Sequence, residues 1–134
     1  MKHFTIAELC RSTTADNKCI DNTPALEIRE KLQTLIEELL DREAWGKPIR
    51  VNSGYRCPAL NKAVGGVSTS QHQKGEAADL NAGDPAKNRE LFDKIVEMQK
   101  AGRIAFDQLI DEARYKWVHI SYRRTGNRGQ VLHL

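Results

Sequence analysis

Residues 53–81, SGYRCPALNKAVGGVSTSQHQKGEAADLN, run from the end of one short strand through a polar loop into another. The segment leading in, 49–56 (IRVNSGYR), alternates as a strand, with Ile49, Val51 and Tyr55 on one side and Arg50, Asn52 and Arg56 on the other. Cys57 and Pro58 break it, and 59–64 is predicted as a short helix ending at Gly65 and Gly66. Residues 67–75 (VSTSQHQKG) read as a polar loop and 76–81 as a second strand. His72 lies in that loop and Asp79 in that strand. Gly75 lets the chain turn between them, so that both side chains can converge on one point.

A third candidate comes from KWVHISY, 116–122. Strand periodicity puts Val118, Ile120 and Tyr122 on one side and Trp117, His119 and Ser121 on the other. A core histidine would share the valine and isoleucine side; His119 points away from it. His3 and His133, near the ends and with no acidic neighbour in sequence, read as surface or satisfied core histidines. His72, Asp79 and His119 together offer two imidazoles and one carboxylate. Zinc accepts such a set tetrahedrally and keeps a fourth position for water, which marks a catalytic rather than a structural site. A water so bound has its pKa lowered to about 7.

The rest of the chain supplies the scaffold. A long helix is expected from Thr23 as cap and Pro24 in the first turn to about Trp45, with Leu26, Leu32, Leu35, Ile36, Leu39 and Leu40 at helical spacing and Gly46 and Pro48 as its stop. Residues 4–10 form a helical turn opened by Thr5, and 11–22 a surface loop. A second helix is predicted over 85–100, capped by Asp84 and stopped by Gly102, with Leu91, Phe92, Ile95, Val96 and Met98 on its apolar side. FDQLIDE (106–112) and KWVHISY flank Ala113, Arg114 and Tyr115 as a β-hairpin, and a last strand at 130–134 follows the basic turn RRTGNRG. This order predicts an α+β fold: one domain, 1–134, with a small, mainly antiparallel sheet and flanking helices.

Composition restricts the partners. The 134 residues carry a net charge of +3 and a pI near 8.8, a mild basic excess that favours polyanions only weakly. Arg123, Arg124 and Arg128 lie in a turn without interleaved aromatic residues, so no nucleic-acid partner is expected. No apolar run approaches the roughly 18 residues of a membrane span, so no membrane insertion is expected. MKHFTIAELCRS lacks the pattern of a secretory signal, and synthesis as a soluble intracellular chain is expected, with release by other means if the substrate lies outside. Cys10, Cys19 and Cys57 do not form a disulfide pattern and read as small buried thiols. Nothing in the pattern specifies an oligomeric state.

Three motifs occur in order: Ser-Gly-Tyr-Arg at 53–56, Ser-x-His-x-x-Gly-x-Ala-x-Asp at 70–79 and Trp-x-His at 117–119. Together they resemble the signature of the zinc D-alanyl-D-alanine peptidases, family fifteen of the metallopeptidases. The resemblance extends to FTIAELCRSTTA and IDNTP near the start and to FDQLI near the end, and is strongest with compact phage and prophage cell-wall peptidases. It implies a zinc domain similar to that of the hedgehog proteins, with one zinc ion held by His72, Asp79 and His119. It implies that Arg56 binds a substrate carboxylate or peptide carbonyl, while Ser70 either meets substrate or helps its loop turn.

The resemblance further implies hydrolysis of peptidoglycan stem or cross-bridge peptides by a metal-activated water. Many relatives carry an acid three positions before the last histidine, where this chain has Lys116. Glu112, at the end of the first hairpin arm, is therefore the candidate general base. Asp107 and Asp111 read as solvated strand-end charges, and Tyr55 and Trp117 as packing residues or groove walls. The competing expectations are a D-Ala-D-Ala carboxypeptidase or dipeptidase, and a zinc-containing cell-wall-binding or virion module without catalysis.

Overall fold

The computed structural model describes residues 4–40 and 49–134. Helices α1 (Ile6–Cys10) and α2 (Thr13–Asn17) precede α3 (Leu26–Leu35), which runs on into a π-type turn, Ile36–Leu40. Strand β1 (Arg50–Ser53), helix α4 (Pro58–Ala63), a 3₁₀ turn (Gln71–Lys74) and β2 (Ala77–Asn81) follow. Helix α5 (Pro85–Lys100), then β3 (Gln108–Glu112), β4 (Trp117–Ser121) and β5 (Gln130–His133), complete the order.

The five strands form one sheet ordered β1-β2-β4-β3-β5, antiparallel except for the parallel β3–β5 pair. The fold is thus α+β with a mainly antiparallel sheet, as expected. Ala78, Leu80, Leu109, Val118 and Ile120 are fully buried in one core with Leu32, Leu35 and Leu39 and with Leu91 and Ile95. Register places Ser53 opposite Asp79, Asp79 opposite His119 and His119 opposite Ile110, all on the other face. Directly opposed residues share a face, so the apolar alternation that builds the core also gathers the polar groups on the sheet's reverse.

Several local expectations change. The loop predicted over 11–22 contains α2, because the Ser12 hydroxyl accepts the Ala15 N–H and Ala15 is buried. Helix α3 starts later than Thr23: Asp21 captures the Thr23 N–H at 2.9 Å, keeping the chain out of the helix, and Ala25 stands at the cap without a side-chain bond. Leu26, assigned to the apolar face, is 72% exposed. The helix end expected near Trp45, Gly46 and Pro48 lies outside the described residues. The cysteines are free, and Cys19 is exposed rather than buried.

Strand β1 stops at Ser53 after an irregularity between Val51 and Ser53. Strand parity therefore does not carry through to Arg56. Tyr55 does turn inward with Ile49 and Val51, as expected, its backbone N–H bonded to the Leu9 carbonyl at 2.6 Å.

The predicted hairpin is present, and its turn is unusual. Ala113, Arg114 and Tyr115 all have positive φ, a costly region for non-glycine residues. Asp111 accepts the Tyr115 N–H at 2.6 Å, and Asn88 of α5 donates to the Tyr115 and Lys116 carbonyls at 2.8 and 3.1 Å. These bonds hold the turn against its backbone preference.

Candidate metal centre

His72 reaches the centre from the 3₁₀ turn. The Ser70 hydroxyl caps that turn by accepting the His72 N–H at 3.2 Å, and Gly75 closes it in the left-handed region, φ 72°. The buried His72 ring has Nδ1 2.6 Å from the Gly54 carbonyl. A carbonyl oxygen only accepts, so Nδ1 carries the proton and Nε2 keeps a free lone pair, the form a metal ligand requires. Gly54 itself packs against the Leu9 backbone, with which a Cβ there would collide.

Nε2 of His72 lies 3.4 Å from Asp79 Oδ2, and Nδ1 of His119 lies 2.9 Å from Asp79 Oδ1. The two imidazoles meet edge to face, centroids 5.2 Å apart. One ligand atom from each of the three residues lies within 4.8 Å of the others, and theirs is the His/Cys/Asp/Glu cluster of this kind among the described residues. Burial would raise the Asp79 carboxyl, but the hydrogen bond from His119 and then the neighbouring His72 ring hold it well below the usual carboxylate range. Asp79 thus stays ionised. One carboxylate oxygen and two imidazole nitrogens could hold one metal ion, and this mixed donor set suits zinc.

Glu112 ends β3 paired with Trp117, which places it on the same face as His119. Burial pushes its carboxyl above the usual range; His119 works against that rise, and Asp79 and Asp111 add to it. Lys116, three positions before His119, is exposed. Arg56 is tied to the His72 loop: its backbone N–H bonds to the His72 carbonyl at 3.0 Å and its guanidinium to Ser70 Oγ at 3.3 Å. Its Nε is buried without a partner. Burial lowers its pKa while Asp79 supports its charge. Ser70 therefore shapes the loop and steadies Arg56 with the same oxygen.

Two clefts adjoin these residues. The larger, about 630 Å³, is lined by Ser53, Tyr55 and Arg56, and the smaller, about 420 Å³, by Ser70, Lys74 and His119. Tyr55 is thus both buried and a groove wall, whereas Trp117 is not among the residues lining either cleft.

Two acids misread from sequence are structural. Asp107, fully buried, accepts from the Arg128 N–H, Nε and a terminal nitrogen at 2.8–3.1 Å, and from Gln71 at 3.1 Å. Asp111, also buried, pairs at 3.1 Å with His133, the histidine expected to lack an acidic partner. Sequence distance concealed both pairs. Asn88 was missed as well: a polar residue on a helix normally faces water, and only the packed structure shows it fully buried. The roles of Gly54, packed against Leu9 and presenting its carbonyl to His72, were visible only in the folded chain.

The model of the family described as Peptidase M15 matches residues 2–121. The chain belongs to the peptidase M15 family. Among curated relatives, the zinc D-Ala-D-Ala carboxypeptidase of Streptomyces albus G is 44% identical over 87 residues, covering 60% of this chain and 32% of the relative. The chain thus spans about a third of that relative's length. Among the described residues of this M15 member, no helix is long and apolar enough to cross a membrane.

Proposed function

We propose that this M15 chain is a zinc-dependent peptidase that hydrolyses stem or cross-bridge peptides of bacterial peptidoglycan. The observation that carries this is the convergence of His72, Asp79 and His119, with the His72 tautomer set for ligation by the Gly54 carbonyl. Zinc held by these three residues would supply Lewis acidity toward a peptide carbonyl and lower the pKa of a water.

Glu112 accepts the proton of the attacking water and delivers it to the departing amine, so that water adds across the C–N bond to give a carboxylate and an amine. Its raised proton affinity suits both halves of that task. Arg56 offers a planar fork to a substrate carboxylate or carbonyl, and Ser70 keeps it oriented. Such a substrate lies outside the membrane, in keeping with a phage or prophage wall-degrading role.

The relative's name favours a second version, a carboxypeptidase that removes the terminal D-alanine. Metal analysis with mass spectrometry of digested sacculi tests both. Stoichiometric zinc with new amino termini inside stems or bridges is the expected result. Released free D-alanine identifies the carboxypeptidase, and zinc binding with intact muropeptides refutes catalysis.

A further inference from the structure

Outside the metal cluster, the larger cleft has a marked charge asymmetry. Arg11, Arg50 and Arg56 line it, and no aspartate or glutamate is among its described lining residues. Arg11 and Arg50 are exposed, and their side chains make no hydrogen bond or ion pair with any described residue. Two other arginines do have acidic partners: Arg128 is engaged by Asp107 and Arg124 pairs with Glu30. The smaller cleft carries Glu76 beside its cations.

We propose that this cleft is a subsite for a carboxylate-bearing segment of the peptide substrate, held by Arg11 and Arg50. The proposal rests on the peptidase assignment above and extends it to substrate class, an acidic peptide. Two guanidinium groups in a concave surface, without an acidic partner among the described residues, attract an anion, and their forked donors match a carboxylate. Thr13 and Asn52 on the same walls provide hydrogen-bonding groups for a peptide backbone, and Val51, Leu60 and Val64 provide apolar contact.

Position ties the cleft to the chemistry. Ser53 lines it and stands directly opposite Asp79 in the sheet, and neighbouring strands are roughly 4.8 Å apart. A peptide in the cleft therefore passes one strand from a metal-centre carboxylate. Arg56 bridges the two regions, lining the cleft while bonded to Ser70 of the His72 loop.

The test uses zinc-loaded protein and short fluorescent peptides, each with one glutamate at successive positions, beside glutamine twins. Binding is read by anisotropy and cleavage separately by mass spectrometry. One glutamate position should bind about tenfold more tightly than its twin, the scale of a charge-assisted hydrogen bond. Arg11→Ala and Arg50→Ala should each shrink that ratio, and Arg50→Glu should reverse it. Equal affinities at every position, or a ratio indifferent to all three substitutions, would overturn the subsite. A glutamate preference without cleavage of any peptide would remove the peptidase assignment and leave the subsite standing. Cleavage of both twins at equal affinity would remove the subsite alone.

Discussion

Asp79 accepts from His119 and faces Nε2 of His72 at 3.4 Å, so its substitution should do more than delete one contact. Asp79→Ala is expected to abolish stoichiometric zinc binding and activity together, as measured by metal analysis after dialysis and by muropeptide digestion. Retained zinc would separate this aspartate from the metal. Glu112 has a different expected signature because it shares the face of His119 without belonging to the convergent cluster. Glu112→Gln should keep the zinc and lower turnover by about a hundredfold, the usual general-base contribution. Wild-type turnover in that variant would dismiss Glu112 as the base. The candidate ligands were legible in sequence because motif spacing and strand parity both marked them. The tautomer of His72 was not, since it depends on a carbonyl 18 residues away.

At the scale of elements, the β3–β4 hairpin carries both Glu112 and His119, and its turn is held from outside. Asn88 accepts the Ala82 N–H at 2.6 Å and donates to Asn81, Tyr115 and Lys116, linking α5, β2 and the turn. Asn88→Ala leaves several of these groups buried and unpaired, and should cost about 3 kcal/mol in urea unfolding. An unchanged midpoint would show that the turn holds itself.

Asp107 ties the segment before β5 to Gln71, the neighbour of His72. Hydrogen bonds from Arg128 hold its carboxyl below the usual range, despite burial. Because the folded pKa lies below the unfolded value of about 3.9, its stabilisation is complete above that pH. It is lost as pH falls through the folded value. Melting temperature measured from pH 7 down to pH 2.5 should therefore drop steeply at the acid end. Asp107→Asn should be less stable at neutral pH, by about 2 kcal/mol, with a shallower acid slope; parallel curves would contradict the assignment. Helix α5 was legible from its cap, apolar period and glycine stop, whereas α2 was hidden in a polar stretch whose one buried residue is Ala15.

For the whole molecule, the sheet separates two environments. One face is the apolar core against α3 and α5, and the other presents the candidate metal centre, whose His119 lines the smaller cleft. A ligand that binds only the folded state stabilises it by mass action, roughly 2.7 kcal/mol at a hundredfold excess over Kd. Zinc should therefore raise the melting temperature of the wild type by several degrees, chelator should reverse the shift, and His119→Ala should show none. A wild-type melting temperature indifferent to zinc would deny a site on the folded protein.

The amino-acid order alone determined the alternation of apolar and polar residues in the strands, the caps of α1 and α5, the hairpin, and the histidines and aspartate worth attention. These are consequences of neighbours a few residues apart, where backbone period and side-chain chemistry act directly. Only the tertiary structure decided that Gly54 orients His72, that Asp107 and Asp111 are buried ion-pair partners, and that Arg56 leaves the strand. Each of those depends on groups brought together by sheet pairing and core packing, and local periodicity carries no record of such distant contacts.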